Sequence, residues 1–141
     1  MIEVRKGPAF DAELAEALAA AQAVPMPITE DMVPSLRGAI VGDPDALVAG
    51  RAIRHEQRTV PGLAGNPDVV LSLFRPTDRV AKGPLIYFVH GGGLILGDRF
   101  FGLQPLLEWV EIFSATLVSP EYRLAPEHKY PAALDDVYAG L

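Results

Sequence analysis

Residues 90 to 93 read His-Gly-Gly-Gly and follow Leu85-Ile86-Tyr87-Phe88-Val89, five apolar residues without a polar interruption. Such a run reads as a strand buried on both faces, as in the middle of a parallel sheet. A strand that feeds three glycines puts bare backbone at its end. With no Cβ atoms in the way, consecutive peptide N–H groups converge on one point, which suits stabilising negative charge that develops on an oxygen. Three glycines alone are often only a flexible turn, so the surrounding residues carry the weight.

A second cluster lies downstream. Tyr122-Arg123-Leu124-Ala125-Pro126-Glu127-His128 precedes Tyr130-Pro131-Ala132-Ala133 and Asp135-Asp136. Tyr122, Arg123 and Glu127 bring charges and a hydroxyl into a loop after a strand, and an internal hydrogen-bond and ion-pair brace is their expected role. Asp135 and Asp136 read as acids of a helix's first turn. His90 is expected to brace its loop through hydrogen bonds, not to shuttle protons. Asp98 is expected to cap the helix that follows, the alternative being to face a cleft.

His90-Gly91-Gly92-Gly93 is similar to the oxyanion-loop motif of lipases and esterases. Together with the segment from Tyr122, in this order and at about this separation, it resembles the hormone-sensitive-lipase-like (family IV) esterases, the fold-3 group of α/β-hydrolases. The likeness covers roughly residues 50 to 141. It implies that the amides of Gly91 and Gly92 stabilise a tetrahedral oxyanion, each donor being worth about 3 kcal/mol, with Gly93 letting the loop turn. It also implies a serine nucleophile in Gly-x-Ser-x-Gly, followed in the chain by an acid and a histidine. The reaction implied is hydrolysis of a small-molecule carboxylic ester with a small or medium acyl chain, without metal or organic cofactor.

The triad itself is missing. Ser35, Ser72, Ser114 and Ser119 all lack glycines two residues before and after. His55 precedes the sheet, His90 belongs to the glycine motif and His128 to the second motif. The expectation is therefore the N-terminal part of an α/β-hydrolase fold, truncated before the nucleophile elbow and inactive without the remaining C-terminal half. In the strand order that the resemblance implies, residues 85–89 lie between the fourth strand and an absent fifth. One side of that strand would be an open edge, and the isolated chain is expected to fold poorly, aggregate or need a partner.

The elements that position these residues follow from periodicity. Phe10, Leu14, Leu18 and Ala21 mark an amphipathic helix over 10–22, and a short helix led by Thr29 is expected to run until Pro34. Residues 38–50 read as a linker with one turn after Asp43. Residues 1–50 thus form a helical segment and linker, as a cap over the site by resemblance or as simple packing; the residues favour neither. Residues 51–141 form the core. Within it, 52–60 and 69–75 flank the turn-rich stretch 61–67 and suggest an antiparallel pair. Leu106, Trp109, Val110 and Phe113 stripe a helix opened by Pro105, 115–119 is a fourth strand, and a last helix starts near Pro131. The alternation implies parallel pairing through crossovers, an α/β class.

The bulk properties bound the rest. With 141 residues and 50% hydrophobic content, the chain is expected to form at most one domain, with enough apolar residues to fill its interior. A net charge of −6 argues against nucleic-acid or anionic-membrane partners. Cysteine is absent, which fits a reducing compartment; no signal peptide or membrane-spanning run is evident, so a cytoplasmic protein is expected. A metal site fails for want of clustered ligands, since the three histidines are far apart and no His-Glu-x-x-His occurs. Two other readings compete. Dinucleotide binding also uses a glycine-rich loop after a buried strand, but the spacing Gly-x-Gly-x-x-x-Gly is one residue too long. A non-catalytic fragment or complementing segment is the stronger competitor.

Overall fold

The computed structural model describes residues 11–20, 27–78 and 83–141. Helix α1 spans Ala12–Ala20, with Glu13 in its first turn. Residues 11–17 are all exposed, Leu14 among them at 66%, and Phe10 and Ala21 lie outside the described residues. After Thr29 a 3₁₀ turn, Glu30–Met32, runs into α2, Val33–Gly38. Thr29 makes no side-chain cap, and Pro34 does not stop the helix. It sits in the first turn of α2, where a missing N–H costs nothing. Helix α3, Pro44–Val48, occupies the expected linker, and Asp43 caps it by accepting from the Asp45 amide at 2.9 Å.

Four strands form one sheet in the order β1-β2-β4-β3. Strands β1 (Ile53–Val60) and β2 (Val69–Pro76) pair antiparallel, with Ile53 opposite Pro76 and Val60 opposite Val69. Strand β4 (Thr116–Glu121) is antiparallel to β2 and parallel to β3 (Leu85–Tyr87), which α4 (Gln104–Phe113) connects to it. Helix α5 is Ala132–Ala139. Alternating side chains of the central strands serve two cores, as the pleat dictates. Phe74 and Leu117 pack with Leu47, Ile53, Leu103, Leu107 and Val110 on one face. Val69, Leu71, Leu73 and Val118 form the other, against Tyr87 and Ala139.

Two expectations change here. Residues 85–89 are not buried on both faces: β3 is three residues long and sits at the sheet edge, with Leu85 64% exposed. The Phe88 amide still bonds Val118 O at 2.8 Å, but no strand flanks the other side among the described residues. In α4 the packing face is Leu107 and Val110, continuing from Leu103, while Trp109 and Phe113 lie outside it. The face is set by what Phe74 and Leu117 offer from the sheet, which a helical period cannot tell.

Candidate active site

Three peptide groups after β3 have their carbonyls turned into the protein. The His90 carbonyl accepts from Tyr122 Oη at 2.7 Å. The Gly91 carbonyl lies 2.9 Å from His90 Nδ1. The Gly92 carbonyl accepts from the amides of Ile95 and Leu96, at 3.2 and 3.0 Å. In a trans peptide the C=O and N–H point in opposite directions. Anchoring these three oxygens therefore turns the amides of Gly91, Gly92 and Gly93 outward. None of the three donates to another described residue, and Gly91 and Gly93 are exposed. The loop thus presents a short row of unspent donors.

Glycine is required at particular points of this loop. Gly92 has φ of 120°, in the left-handed half of the map, and a Cβ there would run into the Leu96 carbonyl, whereas Gly93 at 64° shares the left-handed φ of its neighbour Leu94 and has room for a Cβ. At Gly97, with φ of 90°, a Cβ would sit 2.6 Å from His90 Nδ1. That contact shows where the histidine ring lies: under the loop, 3% exposed, stacked on Tyr122 with centroids 4.1 Å apart. Because a carbonyl oxygen can only accept, the proximity of Gly91 O assigns the ring proton to Nδ1. Tyr122 is held protonated, its pKa raised first by burial and then by the Glu121 charge, so it stays a donor.

The rest of the second motif ties the loop to its surroundings. Arg123 makes a forked pair with Asp136, Nε to Oδ2 at 2.8 Å and Nη2 to Oδ1 at 2.7 Å, and the same Oδ2 accepts the Arg123 amide at 2.9 Å. Asp136 is 2% exposed, so it is a buried ion-pair partner and not a solvated acid of the first helical turn. Asp135 does lie in that turn and accepts from Asn66 Nδ2 at 3.2 Å. Glu127 pairs with Arg37 of α2 at 2.8 Å, and that hydrogen bond is the main cause of its lowered pKa. Asp98 does not cap α4. Its two oxygens accept from the amides of Phe100 and Gly42, fastening the end of the glycine loop to the segment before α3.

The structure brings one serine and one histidine together, a pairing that the sequence gives no sign of. Ser72 Oγ lies 3.0 Å from His55 Nε2, through strand register across β1 and β2. The pair is no nucleophile and base, because Ser72 is fully buried and its oxygen also accepts from Arg99 Nε at 2.9 Å. Ser119 is likewise buried, in β4. No group of three or more potential metal ligands occurs among the described residues. The glycine loop also does not open a helix, since α4 begins only at Gln104, so the geometry of a dinucleotide pyrophosphate site is lacking. An apolar cavity of about 360 Å³ lies beside the loop, bounded by Val89, Leu94, Tyr122, Leu134 and Val137.

Residues 86–141 match the alpha/beta hydrolase fold family. Carboxylesterase NlhH of Mycobacterium tuberculosis is 39% identical over 89 residues, which are 63% of this chain and 28% of that protein. Esterase LipI of the same organism is 41% identical over 59 residues, 42% of this chain and 18% of that protein. Among solved structures, a bacterial heroin esterase superposes with a TM-score of 0.73 at 28% identity, over 93% of this chain and 41% of that one. An esterase of Pyrobaculum calidifontis gives 0.68 at 30% identity with the same coverages. The chain thus spans less than a third of the length of the two curated relatives named. Its residues 86–141 are similar to the alpha/beta hydrolase fold, and the relatives and solved structures that it resembles over part of their length are esterases.

Proposed function

We propose that this chain supplies the oxyanion-stabilising part of a serine carboxylesterase. The observation that carries the reading is the outward row of amides at Gly91, Gly92 and Gly93, set by three anchored carbonyls. In ester hydrolysis a serine oxygen adds to the carbonyl carbon, and the carbonyl oxygen becomes an alkoxide until the alcohol leaves. Donors fixed beforehand stabilise that alkoxide without having to reorganise when the charge appears. Gly91 and Gly92 are the donors in this proposal, with His90 and Tyr122 holding them. The names of the relatives, carboxylesterase and esterase, support carboxylic esters as the substrate class; a small acyl chain and the cytoplasmic setting expected from the sequence are part of the proposal.

The serine, acid and histidine of the triad are contributed from outside these residues. The burial of Ser72 and its bond from Arg99 favour this over a cryptic dyad. On its own the chain is expected to hydrolyse no p-nitrophenyl ester above buffer and to take up no fluorophosphonate label. The deciding experiment places the chain in the bacterial heroin esterase, in exchange for the stretch that it superposes on. A folded chimera should hydrolyse p-nitrophenyl butyrate with ordinary organophosphonate sensitivity. A chimera with a cooperative thermal transition and no turnover overturns the proposal.

A further inference from the structure

Arg37 is half-buried at the end of α2, more than fifty residues before the glycine loop, yet its guanidinium is spent almost wholly on that region. Its Nε donates to the carbonyl of Ile95 at 2.8 Å, and Nη2 donates to the carbonyl of Ala125 at 2.6 Å. Nη1 and Nη2 also form a fork on the Glu127 carboxylate, at 2.8 and 3.0 Å. One rigid planar cation therefore joins three points on two loops, a geometry that lysine cannot reproduce. The points are not arbitrary. Ile95 gives its amide to the Gly92 carbonyl, and the Ala125 amide bonds the Leu94 carbonyl at 2.9 Å. The turn over 92–96, which directs the Gly93 N–H outward, is held from one end by Tyr122 and His90 and from the other by Arg37.

We infer that Arg37 is a positioning residue for the oxyanion loop, acting through the Ile95 and Ala125 carbonyls and the Glu127 carboxylate. The inference rests on the oxyanion reading, and it adds a function for the segment before the core. Burial of Tyr122 and the ring of His90 would hold the near end of the loop without it. Loss of Arg37 should therefore loosen the far end while leaving the sheet intact.

The test uses Arg37→Met and Arg37→Lys in the folded heroin-esterase chimera. Amide hydrogen exchange should accelerate roughly tenfold or more at Ile95, Leu96 and Ala125, as the loss of charge-assisted bonds worth at least one decade predicts, with Leu73 and Val118 unchanged. In the chimera kcat should fall with KM retained. Ethylguanidinium should restore part of kcat to Arg37→Met, a rescue that a merely structural role would not show. Unchanged exchange at Ile95 and Ala125, or a KM rise with kcat kept, overturns the inference while leaving the oxyanion proposal standing. An inactive, folded wild-type chimera whose Ile95 and Ala125 amides still loosen in Arg37→Met instead overturns the oxyanion reading and leaves Arg37 a loop clamp only.

Discussion

Tyr122 Oη meets the carbonyl oxygen of His90 at 2.7 Å across 32 residues of chain, and this one bond sets which way the Gly91 amide faces. The tyrosine leaves β4 just as the sheet ends, its ring lies flat on the His90 ring, and both are buried. The second sequence motif is thus the floor of the first.

Tyr122→Phe keeps the ring and removes only the donor. The orphaned, buried His90 carbonyl should cost about 1–2 kcal/mol of stability. In the chimera kcat should drop about tenfold as the peptide gains freedom to turn. Urea denaturation and p-nitrophenyl butyrate kinetics measure the two effects, and a variant with wild-type kcat contradicts the anchoring role.

The first two glycines should differ sharply. A Cβ at Gly91 meets nothing within 4 Å, and its amide is retained in alanine, so Gly91→Ala should stay within about 0.5 kcal/mol of wild type. Gly92 has φ of 120°, and its added Cβ strikes backbone, so Gly92→Ala should cost about 1–3 kcal/mol by urea denaturation and most of the chimera's p-nitrophenyl butyrate turnover. Equal behaviour of the two variants would count against the loop geometry.

Adjacent aspartates should be unequal as well. Asp136→Ala leaves the partly buried Arg123 without its forked partner, an expected loss of about 3 kcal/mol or more. Asp135→Ala removes a partly exposed acid of the first helical turn and should cost under about 1 kcal/mol. Thermal midpoints of the two variants in the chimera decide.

Stability should fall in mild acid through His55. Burial, then the Arg99 charge, lowers its pKa below the ordinary 6.5, with Asp45 opposing. Since Arg99 Nε gives its proton to Ser72 Oγ, the serine in turn donates to a neutral His55 Nε2. The unfolded chain binds the proton at higher pH than the folded one. The contribution is therefore complete above about 6.5 and lost as pH falls through the lower folded value. Chimera midpoints measured from pH 8 to 5 should decline below that point, and less so in His55→Gln. Parallel declines in both would rule His55 out.

The free side of β3 should make the isolated chain associate. Leu85 is 64% exposed on the edge strand, and Leu134, Tyr138 and Leu141 are exposed on or just after α5. Edge backbone next to apolar surface is a template for pairing. Size exclusion should show concentration-dependent oligomers, reduced by Leu85→Lys. A monodisperse monomer with slow amide exchange at residues 85–89 would end this expectation.

The sequence by itself determined the four strands and the two helices α4 and α5, but not α3, which lies where a linker was expected, nor the short length of β3. The turn-rich stretch 61–67 between two strand-like runs gave an antiparallel pair, and Pro105 opened a helix because a first turn has no use for its missing N–H. The glycine motif was also readable, because the φ of 120° at Gly92 and its close approach to the Leu96 carbonyl call for backbone without Cβ. What periodicity cannot carry is the partner. That α4 buries Leu107 and Val110 and leaves Trp109 outside, that Asp136 turns to Arg123, that Arg37 crosses to Ile95, and that His55 meets Ser72 were all decided by tertiary structure. Side-chain hydrogen bonds between residues far apart in the chain depend on register and packing distances of a few tenths of an ångström. Those distances exist only once the sheet and its helices have closed on each other.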